Sequence, residues 1–171
     1  NHPRRVRLLP RSAKAIGLLN EAGLRAVMVT NQSGVARGYL SEKVLDAVHA
    51  ELVAQLQTEG AFLDGIYVCR HHPIEGEPPY RARCDCRKPE PGLLLRASKD
   101  LKLDLGVSYM VGDKIVDVET ASRAGLTSIL VLTGYGLGEW EYRQAHWSVK
   151  PEHVATDLFD AVEWILERRH A

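Results

Sequence analysis

The chain has 171 residues, 45% of them hydrophobic, and its 22 lysines and arginines balance its 22 aspartates and glutamates. This length and apolar content predict a single domain with a sizeable core. The balanced charge argues against nucleic acid or an anionic membrane surface as a partner, and without a run of about 18 apolar residues no membrane span is expected. The predicted location is the cytoplasm, where three cysteines close to histidines favour a metal site or catalysis over disulfides.

Helical apolar spacing alternates along the chain with short, unbroken apolar runs, which are typical of strands buried on both faces of a parallel sheet. Glycines and capping residues mark where several of the helices begin and end. The elements predicted in chain order are a helix over 11–22, a strand over 24–30, a helix from Ser41 to Gly60, a strand over 65–69, a helix from Pro91 to about Asp100, a strand over 107–112, a helix to Ala124, a strand over 127–134, and a short strand followed by a helix capped by Asp157.

Alternating strands and helices predict an α/β fold with a parallel sheet covered on both faces. Ligands of such sheets bind at the carboxyl ends of the strands. Three polar motifs lie at such positions, namely "TNQSG" after the first strand, "CRKPEPG" before a helix and "GDKIVD" after the third strand. The sequence therefore predicts one functional site built from these three motifs.

The "TNQSG" motif combines the hydroxyl of Thr30 with backbone N–H groups at a strand-to-loop turn. Such groups hold anionic oxygens, as helix N-termini and backbone nests do. An ordinary polar turn is the alternative, since turns of this composition are common.

The "CRKPEPG" motif places two cations, Arg87 and Lys88, in a turn with two prolines. Lysine suits neutralisation of a transferring phosphoryl group, and the arginine fork suits bidentate recognition of phosphate or carboxylate. A solvated basic pair at the surface is the alternative.

The "GDKIVD" motif places Asp113 directly after a strand and Asp117 one helical turn later. Carboxylates there suit Mg²⁺, which takes few protein oxygens together with waters and substrate phosphate. Lys114 is a candidate substrate contact. As an alternative, Asp113 only caps the following helix, because aspartate is a preferred N-cap residue.

The loop "CRHHPIEGEPPYRARCDC" contains all three cysteines of the chain. Cys69 with His71 and Cys84 with Cys86 form two closely spaced pairs, and thiolates with an imidazole select tetrahedral zinc. Four protein ligands make a closed, structural site. His72 is the rival of His71 as the fourth ligand, and ordinary free cysteines are the alternative to a metal.

Taken together, "MVTNQSGVARG", "CRHHP" with "CDCRKPEPG", and "MVGDKIVD" resemble the motifs of the haloacid dehalogenase (HAD) superfamily of phosphohydrolases. More narrowly, they look like the D-glycero-D-manno-heptose 1,7-bisphosphate 7-phosphatases, with the histidinol-phosphate phosphatases as close relatives. The resemblance covers nearly the whole sequence, and most of the superfamily lacks the cysteine loop. It implies a HAD-like, three-layer fold of Rossmann type with a zinc-binding loop, and hydrolysis of a sugar phosphate monoester with Mg²⁺ and structural Zn²⁺ as cofactors.

The resemblance also implies a role for each motif residue. Thr30 would hold the transferring phosphoryl group, Lys88 would balance its charge and Asp113 would bind Mg²⁺. Asp117 would orient either Lys88 or a metal-bound water. The residues lining the substrate site would be Asn31, Gln32, Ser33, Arg87 and Lys114. The zinc ligands would be Cys69, His71, Cys84 and Cys86. The expected partner is a small phosphorylated substrate in carbohydrate metabolism, in the synthesis of lipopolysaccharide or ADP-heptose, and the expected state is a monomer.

One departure from the family concerns its first motif, Asp-x-Asp-Gly, which supplies the nucleophile and the general acid/base and is absent from this sequence. The "FLDG" segment at 62–65 lacks the second carboxylate and precedes the cysteine loop, so it is no substitute. We expect the motif on a segment ahead of Asn1. The alternatives are a histidinol-phosphate phosphatase and, from another class, an inactive zinc-stabilised relative that binds phosphate.

Overall fold

The structure is a computed structural model and describes residues 2–169. The chain divides into two compact units, of which the first ends at Arg87 and the second begins at Lys88. Each unit contains parallel strands and helices. The expectation that the whole chain is one HAD-like domain stays a prediction.

The first unit contains a pair of parallel strands and two longer helices. Its elements are α1 (Ser12–Glu21), β1 (Val27–Asn31), α2 (Glu42–Thr58) and β2 (Gly65–Cys69), with a 3-10 turn at Pro3–Arg5. In the ladder, Asn31 lies opposite Cys69. The α2 helix begins after Ser41, whose Oγ accepts a hydrogen bond from the Val44 N–H at 3.3 Å, as the sequence predicts.

The β1 strand differs from the expectation of a strand buried on both faces. All five of its residues are only partly buried. Within residues 2–169, β1 pairs with β2 and with no other strand, so its backbone has a strand neighbour on one edge. The core of this unit lies between the helices, around Leu56, Ala13 and Ala61.

The second unit contains three parallel strands in the order β3-β4-β5. Its elements are α3 (Gly92–Leu101), β3 (Tyr109–Gly112), α4 (Ile115–Ala124), β4 (Thr127–Val131), α5 (Gly136–Arg143), β5 (His153–Ala155) and α6 (Leu158–Arg169), with 3-10 turns at Leu105–Val107 and Gln144–His146. The central strand β4 is the most buried. Asp157 caps α6 through its Oδ1, which accepts from the Asp160 N–H at 2.9 Å.

The α/β class with parallel strands is confirmed. The strands nevertheless form two sheets and not one, because backbone hydrogen bonds join β1 only to β2 and β3 only to β4 among the described residues. The α5 helix was not expected, since it is short and two of its eight residues are glycine. No helix within residues 2–169 is both long and apolar enough to cross a membrane.

Candidate active site and metal centre

The "TNQSG" motif lies where β1 ends. Thr30 and Asn31 are the last two residues of the strand, and the Gln32 N–H donates to the Cys69 carbonyl at 2.7 Å. The turn that follows buries Val35 and Ala36. The polar turn is therefore tied by a backbone hydrogen bond to the residue that begins the cysteine loop.

The cysteine loop, residues 69–86, brings four candidate ligands together. The ligand atoms of Cys69, His71, Cys84 and Cys86 all lie within 4.8 Å of one another. His71 Nδ1 lies 3.3 Å from Cys86 Sγ and 3.8 Å from Cys69 Sγ, and Cys84 Sγ lies 3.6 Å from Cys69 Sγ and 3.2 Å from Cys86 Sγ. Tetrahedral zinc, with bonds of about 2.3 Å to sulfur and 2.0–2.1 Å to nitrogen, separates its ligands by about 3.5–3.8 Å. The four side chains thus fit a zinc ion.

Without a metal the three thiols influence one another. Burial, followed by the hydrogen bond with Cys86, raises the pKa of the Cys69 thiol well above its ordinary value. Burial also opposes ionisation of Cys84, but hydrogen bonds from the other two thiols and from the backbone N–H groups of Cys86 and Arg87 outweigh it, and the pKa of Cys84 is lowered. Binding of a metal by these cysteines would displace their thiol protons, because a cation stabilises thiolates that burial otherwise disfavours.

His72, the rival ligand, lies outside this cluster. It is 7% exposed, and its Nδ1 accepts from the Glu75 N–H at 2.9 Å. Its Nε2 lies 3.1 Å from the Arg37 guanidinium and 3.4 Å from Glu75 Oε1. The geometry therefore favours His71 as the fourth ligand and gives His72 a different set of contacts.

The tip of the cysteine loop packs against the turn that follows β1, a contact that the sequence analysis missed. Arg37 forms an ion pair with Glu75 at 3.1 Å. A Cβ on Gly76 would lie only 1.9 Å from the Ala36 carbonyl oxygen, so only glycine fits there. At the other end of the loop, the Arg87 guanidinium donates to the His71 carbonyl at 3.2 Å.

In the second unit, Lys88 forms an ion pair with Asp117. The distance from Lys88 Nζ to Asp117 Oδ1 is 2.6 Å, and the two side chains are 13% and 7% exposed. Asp117 Oδ2 accepts from the Lys114 N–H at 3.2 Å. Gly112 makes room for this carboxylate, because a Cβ there would lie 2.3 Å from the Asp117 Cβ. The carboxylate of Asp117 thus fixes the ammonium group of Lys88 beside the start of α4.

Asp113 follows β3 directly, and its Oδ2 accepts from the Tyr135 N–H at 3.0 Å. Lys114, not Asp113, is the N-cap of α4, so the alternative in which Asp113 only caps the helix is wrong. Within the described residues Oδ1 of Asp113 has no hydrogen-bond partner. A carboxylate with an available oxygen at a strand end suits Mg²⁺. Lys114 Nζ lies 3.7 Å from the centre of the Tyr135 ring.

Comparison with known proteins identifies the family. The HAD-hydrolase-like family model matches residues 85–161. A D-glycero-beta-D-manno-heptose-1,7-bisphosphate 7-phosphatase of Haemophilus ducreyi is 42% identical over 154 residues, which are 89% of this chain and 81% of the relative. The chain belongs to the heptose-1,7-bisphosphate 7-phosphatase family. A member from Chlorobaculum tepidum is 39% identical over 163 residues, 91% of this chain and 79% of the relative.

A solved structure supports the same assignment. The D,D-heptose 1,7-bisphosphate phosphatase from B. bronchiseptica, in complex with magnesium and phosphate, superposes with a TM-score of 0.84. The two sequences are 34% identical, and the superposition covers 98% of this chain and 88% of the other. The expected HAD-like fold and family are therefore confirmed.

Proposed function

We propose that this protein is a magnesium-dependent phosphatase that removes the 7-phosphate of D-glycero-D-manno-heptose 1,7-bisphosphate. The observation that carries the proposal is the largely buried Lys88–Asp117 ion pair at the start of α4, the helix that Asp113 precedes in the sequence, in a chain of this family. A fixed ammonium group and a carboxylate with an available oxygen provide what phosphoryl transfer needs, namely a positive charge and a metal ligand for the equatorial oxygens.

The residues of the three motifs take the roles that the family resemblance implies. The Thr30 hydroxyl and the turn residues Asn31, Gln32 and Ser33 bind oxygens of the substrate phosphate. Lys88 stabilises the charge on the transferring group, and Asp117 orients the lysine through their ion pair. Asp113 would hold Mg²⁺, which when bound supplies further positive charge at the phosphate oxygens.

The reaction proceeds in two steps in this proposal. An aspartate of an Asp-x-Asp-Gly segment, which we propose lies ahead of Asn1, attacks phosphorus, and the bond from phosphorus to the C7 oxygen breaks. The second aspartate of that motif protonates the departing oxygen and then removes a proton from the water that hydrolyses the aspartyl-phosphate. The products are heptose 1-phosphate and inorganic phosphate.

Zinc has a structural role in this proposal. A tetrahedral ion bound by Cys69, His71, Cys84 and Cys86 has no open position for water, so it contributes to folding and not to bond cleavage. It holds the loop whose tip packs on the Arg37 turn and whose last ligand precedes Arg87, the residue that we propose recognises the remainder of the substrate. Reduced thiols suit the cytoplasm, where we propose that the protein acts as a monomer in the synthesis of ADP-heptose or lipopolysaccharide.

The test is phosphate release by the full-length protein with Mg²⁺, comparing heptose 1,7-bisphosphate with histidinol phosphate. We expect kcat/KM for the heptose bisphosphate to be higher by at least about two orders of magnitude, as for a site that pairs with substrate hydroxyls. A preference for histidinol phosphate would indicate a histidinol-phosphate phosphatase instead. Release from neither substrate would favour an inactive relative that binds phosphate.

A further inference from the structure

An open cleft lies in the second unit, between the start of α4 and α5. Its volume is about 550 Å³, within the range of about 300–1,000 Å³ that is typical of small-molecule sites. The residues that line it are Lys114, Ile115, Val116, Tyr135, Gly138, Glu139, Tyr142 and Arg143. Only Lys114 was assigned a role from the sequence.

A buried carboxylate in this cleft lacks a partner for one of its oxygens. Glu139 is 7% exposed, and its Oε1 accepts from the Arg143 guanidinium at 3.0 Å. Its Oε2 is buried and has no hydrogen-bond partner in the part of the chain that the structure describes. Leaving such an acceptor unpaired is costly, so the carboxylate gains if it turns toward the cleft that Glu139 lines and accepts a hydrogen bond from a ligand there.

The other lining groups define the chemistry of that ligand. Tyr135 and Tyr142 are 65% and 80% exposed, although tyrosine rings usually bury their apolar faces. Lys114 and Arg143 bring two cations to the same cleft. A sugar phosphate combines hydroxyl donors for Glu139, an apolar face for the tyrosine rings and an anionic group for the two cations.

Two residues that line the cleft, Lys114 and Tyr135, are also close to the proposed magnesium ligand Asp113. Tyr135, whose ring contacts Lys114, donates its backbone N–H to Asp113. The preceding Gly134 has φ +63° and lies so close to Asp113 that a Cβ would be 2.3 Å from its Oδ2. A ligand on the Tyr135 ring therefore lies next to the turn that orients Asp113.

We infer that this cleft binds the polyhydroxylated, phosphorylated part of the substrate that remains after phosphate removal, with Glu139 as an acceptor for sugar hydroxyls. The inference rests on the proposed function for the identity of the sugar. It adds Glu139 and Tyr142 of α5 as substrate-binding residues that determine specificity.

Direct binding tests the cleft without turnover. The probe is heptose 1-phosphate, titrated into the full-length protein by calorimetry. Gly138→Leu should weaken binding at least about tenfold, because Gly138 lines the cleft and a Cβ there meets nothing within 4 Å. Gly17→Leu is the matched control, also a helix glycine with open space at its Cβ, and should leave the affinity unchanged. Equal affinity in both variants, or no binding by the wild type, would overturn the inference.

A subtler pair of variants separates recognition from folding. Glu139→Gln should raise KM for heptose 1,7-bisphosphate at least about fivefold with little change in kcat, and should leave kcat/KM for phenyl phosphate unchanged. Glu141→Gln, on the same helix and exposed, should change neither. An equal loss on both substrates would contradict a role in sugar recognition. If heptose bisphosphate is not hydrolysed at all, the proposed function fails, and the calorimetric comparison still decides whether the cleft binds the sugar phosphate.

Discussion

At the scale of single residues, Asp117 positions the ammonium group of Lys88, the cation that we propose binds the substrate phosphate. Both of its oxygens are engaged, one by the Lys88 ammonium and one by the Lys114 N–H. Burial of the pair strengthens their attraction but makes either charge costly when its partner is lost. The sequence spacing placed Asp117 one turn after Asp113. It left open whether the carboxylate orients Lys88 or a metal-bound water, and the contact at 2.6 Å supports the first.

Replacement of Lys88 should reduce both turnover and stability. In Lys88→Ala, kcat should fall about 10²–10³-fold, the usual cost of losing one charge-stabilising group. Unfolding free energy should fall by about 3–5 kcal/mol, because a buried Asp117 charge is left behind. Lys88→Arg should retain more of the stability than of the turnover, since the guanidinium keeps the charge but not its compact shape.

Phosphate release and urea unfolding measure the two effects. Lys99→Ala removes an exposed lysine of α3 and should change the free energy of unfolding by no more than about 0.5 kcal/mol. Near-normal turnover in Lys88→Ala would contradict the role assigned to Lys88.

At the scale of elements, the cysteine loop connects two parts of the first unit. Its first ligand ends β2, and its tip packs on the turn after β1 through Glu75 and Gly76. The spacing of cysteines and histidines predicted that Cys69, His71, Cys84 and Cys86 lie together, because residues so close in sequence stay close in the fold. It did not predict that the loop tip contacts the turn after β1. That contact joins residues 35 or more positions apart in the sequence and depends on how a loop of 18 residues folds back.

The choice of zinc ligand has its own test. Purified wild-type protein should contain one zinc per chain by elemental analysis, and His71→Gln should lose most of it. His72→Gln should keep the zinc, because His72 contacts Arg37 and Glu75 and not the thiols. If His71→Gln kept its zinc and His72→Gln lost it, His72 would be the fourth ligand instead of His71. Wild-type protein without zinc would contradict a zinc site altogether.

The contact of the loop tip predicts unequal effects of two similar substitutions. Gly76 and Gly60 have φ of +87° and +76°, so alanine costs about 1–2 kcal/mol at either position. At Gly76 a Cβ also collides with the Ala36 carbonyl, whereas at Gly60 it meets nothing within 4 Å. Gly76→Ala should therefore lower the free energy of unfolding further than Gly60→Ala and should raise KM for the substrate. Equal losses in urea unfolding would contradict the contact.

At the scale of the whole molecule, the sequence predicted the α/β class and most element positions. Apolar runs, caps and ligand spacing are local features, and they survive in the structure with boundaries shifted by a few residues. The α5 helix and its cleft were missed because Gly136 and Gly138 lower the helix propensity of a segment of only eight residues. An i,i+4 pair of Glu139 with Arg143 was the available indication of a helix.

In the proposed reaction the protein removes one particular phosphate from heptose 1,7-bisphosphate. Phosphorus NMR on the full-length protein follows that choice directly. We expect the signal of the 7-phosphate to disappear as that of inorganic phosphate grows, while the signal of the 1-phosphate persists. Loss of the 1-phosphate signal, or no change in either signal with Mg²⁺ present, would contradict the proposed reaction.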